Sequence, residues 1–291
     1  MARPFLKWVG GKRQLLAQIG RLLPPDMDEI RNYVEPFVGG GAVLFHLLER
    51  YKFNSVHVSD LNPELILCYQ VIQENARRVS EEIECLNDSY PQTPEGRKDV
   101  YYANREAWNE KVGKLDRLGE KDRIKRAAMT IFLNKTCFNG LFRVNKSGKF
   151  NVPIGGYERI SIPKEEDLIS VQESLQGVEI RHCSFTECES VVDSSTFVYF
   201  DPPYRPISRT SFVSYSKEGF GDAEQGQLAE LFARLDSRGA KLMLSNSYDD
   251  EREYIHGLFE GYSVELVRAR RSINRLGDER GEVSEVVIRN Y

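Results

Sequence analysis

Three consecutive glycines, Gly39-Gly40-Gly41, stand between the run Tyr33-Val34-Glu35-Pro36-Phe37-Val38 and the helix-periodic segment Ala42-Val43-Leu44-Phe45-His46-Leu47-Leu48. A short strand that meets glycines and passes straight into a helix opens a βα unit, in which a ligand can approach the backbone closely. Such a unit calls for a mainly parallel sheet with helices on its faces. The spacing is not that of a phosphate loop, which would close in Gly-Lys-Ser/Thr, nor is it G-x-G-x-x-G. Beyond the helix, Ser55-Val56-His57-Val58-Ser59-Asp60 alternates as a strand and ends in an acid. An acid about 20 residues past a glycine turn is where a ribose hydroxyl pair is held. These features describe a nucleoside pocket with no pyrophosphate demand. Glu35 has two readings here: it could assist an ammonium or sulfonium, or it could pair with Lys12 or Arg13.

A second strand carries the chemistry. Thr196-Phe197-Val198-Tyr199-Phe200 is aromatic and β-branched, and it stops at Asp201-Pro202-Pro203-Tyr204. Prolines cannot continue a sheet ladder, so a buried strand ends at Asp201. Open α/β sheets bind ligands at the carboxyl ends of their strands, which puts these four residues where a site belongs. An amide or aromatic amine is a poor nucleophile because its lone pair is delocalised. Two acceptors on its two N–H groups return electron density to nitrogen. Asp201 supplies one acceptor, the Pro202 carbonyl the other, and Tyr204 a flat face for a planar group. The clamp fits a planar –NH₂ group, adenine in DNA first; cytosine, RNA adenine or a glutamine side chain are the alternative acceptors, and a non-catalytic DNA-binding protein that keeps the fold is the alternative class.

Other signals limit the class. No apolar stretch approaches the roughly 18 residues of a membrane span, and Met1-Ala2-Arg3-Pro4 leads into structured sequence, so a cytoplasmic protein is expected. The five cysteines are scattered with no C-x-x-C pair, which suggests neither a disulfide framework nor a zinc site. Net charge is −4, yet Arg123, Lys125, Arg126, Lys135, Arg143, Lys146 and Lys149 cluster mid-chain, and Arg268, Arg270, Arg271 and Arg275 cluster near the end. Two basic clusters flanking a candidate site point to an anionic polymer.

In chain order, Phe5-Leu6-Lys7-Trp8-Val9-Gly10-Gly11-Lys12 reads as a loop feeding a helix from Leu15; its free N–H groups and Lys12 could take an anion, but a plain loop-to-helix turn is the better reading of a lone Gly-Gly-Lys. From about Pro63 to Pro163 the texture turns helical, with periodicity at Leu65–Ile72, Val79–Leu86 and Ile124–Phe132 and a polar stretch from Asp88 to Asp99. Asn134 to Pro153 then interleaves Asn, Arg, Lys and aromatics around a hairpin turn at Asn145–Gly148, the chemistry for base edges and phosphates. After Pro163 come a helix to about Gln176, strands at Val178–Phe185 and Ala240–Ser247, and a last strand at Val283–Arg289. The two α/β portions are expected to form one sheet interrupted by an insert.

With these motifs in this order, the chain resembles the DNA adenine methylase (Dam) family, the S-adenosylmethionine-dependent amino methyltransferases of DNA. The likeness covers nearly the whole length. It rests on residues 5–12, the Glu-Pro-Phe-Val-Gly-Gly-Gly at 35–41, Asp60, the Phe-Asn-Gly-Leu-Phe-Arg and Phe-Asn-Val-Pro between 138 and 153, and the Asp-Pro-Pro-Tyr at 201–204. It implies an α/β fold, a Rossmann-like class I methyltransferase sheet with an inserted, mainly helical recognition domain carrying a β-hairpin. Residues 1–62 and 164–291 would form the catalytic domain and residues 63–163 the target recognition domain.

By the same resemblance Asp201, Pro202 and Tyr204 would be catalytic, and Trp8, Lys12, Asp60 and Asp201 would line the cofactor site, joined by Glu35, Phe37, Gly39 and Phe185. Lys7, Asn139, Leu141, Arg143, Pro153 and Tyr157 would face DNA. The implied partners are S-adenosyl-L-methionine, leaving as S-adenosyl-L-homocysteine, and double-stranded DNA, with a flipped adenine in GATC as target. Arg143 is the candidate for a bidentate guanine contact. No metal and no obligate protein partner is expected. Two departures stand out: Ser184-Phe185 where several relatives carry an acid before Phe, and Gly155-Gly156-Tyr157 where they often have Gly-Arg-Tyr.

Overall fold

The computed structural model describes residues 2–157, 159–204, 220–247, 253–270 and 282–291. Strands β1 (Asn32–Glu35), β2 (Ser55–Asp60), β3 (Val178–His182), β4 (Thr196–Phe200), β5 (Lys241–Ser247), β6 (Ser263–Arg270) and β7 (Glu282–Arg289) form one sheet in the order β3-β2-β1-β4-β5-β7-β6. The first five run parallel, and β7 is antiparallel to both β5 and β6.

All five residues of β4 are buried, the mark of a central strand covered on both faces. Its period of two sorts them: Phe197 and Tyr199 join the core of Tyr33, Leu44 and Ile72, whereas Val198 and Phe200 join that of Leu228 and Phe232. β1 lies between β2 and β4, so the strand order leaves it in opposite directions. The crevice beyond the carboxyl ends of β1 and β4 is therefore the topological switch point. Glu35 and Asp201 stand at its two sides.

Helices α1 (Leu16–Arg21), α2 (Ala42–Arg50), α3 (Pro63–Asp88), α4 (Pro94–Glu110), α5 (Glu120–Thr136), α6 (Glu165–Ser174), α7 (Asp222–Ser237) and α8 (Glu253–Leu258) complete the described elements. The long α3 starts where Asn62 accepts the Glu64 and Leu65 N–H groups ahead of Pro63, and it is interrupted at Asn75. Its apolar face packs into the same core as β1 and β2, while a separate cluster of Tyr101, Trp108, Leu133, Cys137, Phe142, Phe150 and Val152 joins α4, α5 and the hairpin.

Several boundaries differ from the sequence reading. The polar stretch Asp88–Asp99 contains the start of α4, whose Thr93 cap accepts the Gly96 N–H ahead of Pro94. The helix expected from Leu15 shortens to α1 behind a 3-10 turn at Lys12–Gln14. The strand expected to reach Phe185 ends at His182, because Ser184 caps a 3-10 turn over Phe185–Val191. Strand β6 was not anticipated; it carries Arg268, whereas the side chain of Arg270 and all of Arg271 and Arg275 lie outside the described residues.

The mid-chain basic cluster is also less of a surface than expected. Arg126 is buried: it donates to both Glu64 carboxylate oxygens, at 2.9 and 2.5 Å, and lies 3.6 Å over the Trp108 ring. Arg123 pairs with Glu74, and Lys135 is half-buried.

Candidate active site

Asp201 follows β4 directly, and Lys12 reaches it from the turn before α1. The Lys12 ammonium is 2.6 Å from Asp201 Oδ1, 3.6 Å from Glu285 Oε2 on β7 and 4.8 Å above the Tyr204 ring, and it also donates to the Gly10 carbonyl at 2.9 Å. The Tyr204 hydroxyl donates to Glu285 Oε2 at 2.6 Å. One buried cation thus serves two carboxylates and a phenol. Lys12 is directed at acids and only a six-residue helix follows, which agrees with the plain turn read for this loop rather than with an anion site.

Burial pushes Asp201 up to about 6, against the pull of the Lys12 ammonium and with a further push from Glu285. At neutral pH the carboxylate is ionised and can accept hydrogen bonds. Pro202 is buried beside it. Glu35 accepts the Tyr33 hydroxyl at 2.5 Å rather than pairing with Lys12 or Arg13, and burial drives its carboxyl well above the usual range.

The cofactor candidates gather at the ends of β1 and β2. Gly41, at φ 71°, caps α2 in the left-handed region, where an added Cβ would collide with the Tyr69 hydroxyl. Gly39, at φ 47°, would carry its Cβ 2.9 Å from the Trp8 ring. The glycines are thus required as much by close packing of Trp8 and Tyr69 as by any ligand. Asp60 accepts the Gly39 N–H at 3.1 Å and the Asn62 N–H at 2.9 Å, one on each oxygen. The Leu61 N–H also faces the carboxylate, three donors against about four acceptor sites, and burial lifts the group to about 6. Phe37 and Phe185 stack with centroids 5.3 Å apart. A carboxylate with a spare acceptor site, a tight glycine turn and paired aromatics suit a nucleoside.

The DNA-side candidates form a second group. Lys7 is exposed, with its ammonium 4.6 Å over the Tyr157 ring. Its backbone N–H and C=O are both bonded by the Asn134 side chain, which also donates to Gly140. Asn139 sits at φ 57° in a 3-10 turn over Phe138–Gly140, and the Phe138 N–H donates to the Pro153 carbonyl at 2.9 Å. The hairpin turn forms as expected: Asn145 N–H donates to Lys149 O and Gly148 N–H to Asn145 O, both at 2.8 Å. Arg143 is exposed and its Nε donates to Asn151 Oδ1 at 2.8 Å; Leu141 is half-buried. Trp8 links the two groups, since it lies against the glycine turn and stacks on Phe142 at 5.7 Å.

Sequence reasoning missed two residues. Glu285 was visible only as a lone acid in a β-branched run, and Phe138 only as one aromatic among several, yet Phe138 is 47% exposed beside Asn139.

Against known proteins, residues 8–273 match the family described as D12 class N6 adenine-specific DNA methyltransferase. Type II methyltransferase M.MjaIII of Methanocaldococcus jannaschii is 46% identical, over 99% of each chain. Type II methyltransferase M1.LlaDCHI of Lactococcus lactis subsp. cremoris is 36% identical, over 99% of this chain and 95% of its own. A DNA adenine methylase of Vibrio cholerae serotype O1 is 34% identical, over 98% and 95%.

Proposed function

The chain belongs to the D12 class of N6 adenine-specific DNA methyltransferases, and from that premise we propose that it methylates an adenine flipped out of duplex DNA, within GATC, with S-adenosyl-L-methionine as donor. The observation that carries the reading is the placement of Asp201, Pro202 and Tyr204 at the switch point between β1 and β4. The N6 amine is held in the base pair, so a clamp on both its N–H groups needs the base out of the stack. Asp201 accepts one N–H, the Pro202 carbonyl accepts the other, and Tyr204 stacks on the ring; together they hold the nitrogen lone pair toward the donor.

S-adenosylmethionine, when bound, supplies a methyl group made electrophilic by a sulfonium. Asp60 would accept its ribose hydroxyls, Phe37 and Phe185 would offer apolar surface, and Trp8 and Gly39 would close the turn beside it. Residues 63–163 act as the recognition unit between catalytic segments 1–62 and 164–291. Lys7, Asn139, Leu141, Arg143, Pro153 and Tyr157 face the duplex, and exposed Phe138 offers a ring to an unstacked base. The names of two relatives favour a type II restriction–modification setting, and the chain would act in the cytoplasm.

The test is transfer of tritiated methyl to duplex DNA followed by mass spectrometry of the nucleosides. N6-methyladenine formed only with S-adenosylmethionine and a duplex supports the proposal. Product on RNA, on cytosine or on single strands alone overturns it.

A further inference from the structure

Glu285 lies in the apolar run of β7, where its neighbours Val286, Val287 and Ile288 are buried, and the clamp described above makes no use of it. Its side chain is 12% exposed, and one of its oxygens, Oε2, accepts the Tyr204 hydroxyl and faces the Lys12 ammonium. Lys12, 3% exposed, rests nearer Asp201, at 2.6 Å against 3.6 Å for Glu285. Asp201 Oδ1 is therefore held by a cation, and a target amine that takes the ammonium's place on that oxygen displaces it. A buried ammonium stripped of its anion is strongly disfavoured. A second carboxylate within a short swing of the flexible lysine stem removes that penalty.

We infer that Glu285 is a positioning residue that takes over the Lys12 ammonium when the target amine engages Asp201. The exchange moves a cation from one carboxylate to another and transfers no proton. It also ties the cation to the stacking ring, because one oxygen of Glu285 serves both Lys12 and Tyr204. The inference rests on the proposed role of Asp201 as acceptor of the amine N–H.

Single-turnover methyl transfer, with enzyme in excess over a duplex, tests it. Glu285→Gln keeps an acceptor for Tyr204 but offers no charge to Lys12. Its rate constant is expected to fall about tenfold or more, while dissociation constants for duplex and cofactor change by less than about twofold. In a Lys12→Met background there is no ammonium to rehouse, so the same substitution should change the rate by less than about twofold. Glu285→Asp, which keeps the charge but draws it back by one methylene, gives a second reading if the glutamine variant does not fold. It should lose less rate, and that loss too should vanish with Lys12→Met.

A Glu285→Gln enzyme as fast as wild type overturns the inference, as does a loss that is equal with and without Lys12. Asp201→Ala in the same series separates the two claims. An active Asp201→Ala removes the clamp itself, whereas an inactive one beside a fast Glu285→Gln removes only the exchange.

Discussion

The site's acids differ in what each must do, and their surroundings set this. Asp201 must be ionised to accept an N–H, and burial has raised it to about 6. The charged and titratable groups around it are Lys12, which lowers it, and Glu285, which raises it, with Glu35, Tyr199 and Tyr204 also in its field. For the free enzyme, kcat/KM should therefore rise as pH climbs through about 6 and level off above it, because protonation below that value removes the acceptor. A flat kcat/KM from pH 5 to 8 would mean the carboxylate is not the working acceptor. Asp201→Ala is expected to abolish transfer while leaving the circular-dichroism spectrum unchanged. Asp60→Ala acts elsewhere, since loss of charge-assisted bonds to ribose should weaken cofactor binding by about 1.5–3 kcal/mol, roughly ten- to a hundredfold, in calorimetry. Asp60 and Asp201 were legible in the sequence because each is an acid ending a patterned strand. The pairing of Lys12 with Asp201 was not, because nothing in local spacing says that a loop near the N-terminus folds onto the end of β4.

Elements were read best where the apolar period was strong. β4, β5 and the hairpin at Asn145–Gly148 follow from β-branched runs and turn chemistry, whereas α4 was hidden by its polar face despite the Thr93-Pro94 start. Arg126 shows the limit of reading charge along a chain. It looks like one more cation in a basic run, yet helical geometry turns it inward to Glu64 at the start of α3 and over Trp108 of α4. Removing one partner leaves the other charge buried and alone, so Glu64→Ala should destabilise the protein by about 3–5 kcal/mol. Urea unfolding would register this as a lower midpoint, and an unchanged midpoint would mean the pair contributes nothing. Lys135, half-buried and lowered to about 8 by burial and by Lys7, should likewise contribute less to DNA affinity as pH rises past 8.

At the scale of the whole molecule, the N-terminal segment joins the chemistry to the reading of sequence. Lys12 touches Asp201, Trp8 lies between the glycine turn and Phe142, and the backbone of Lys7 is fixed to Asn134 at the end of α5. The segment that carries Lys7 is thereby tied both to Asp201 and to the end of α5. Arg143 is an exposed cation on the hairpin arm, and Asn151 engages both its Nε, at 2.8 Å, and its Nη2, at 3.4 Å, which orients the fork that a guanine edge would meet. A bidentate guanine contact discriminates by about 1–3 kcal/mol, so Arg143→Ala should relax choice at one guanine without a matching loss at every sequence. Lys146→Ala and Lys149→Ala should instead lower affinity on all duplexes and flatten its dependence on salt, as loss of phosphate contacts does. Gly156 is exposed and brings no side chain to this face, so in the proposed complex Lys7 and the hairpin lysines would carry its phosphate anchoring. Methylation-sensitive sequencing of plasmid DNA exposed to the enzyme decides the code: modification confined to GATC for wild type, with spread to sites altered at a single guanine for Arg143→Ala, is the expected result, and a wild-type pattern centred on another motif would show that the hairpin presents its side chains to a different sequence.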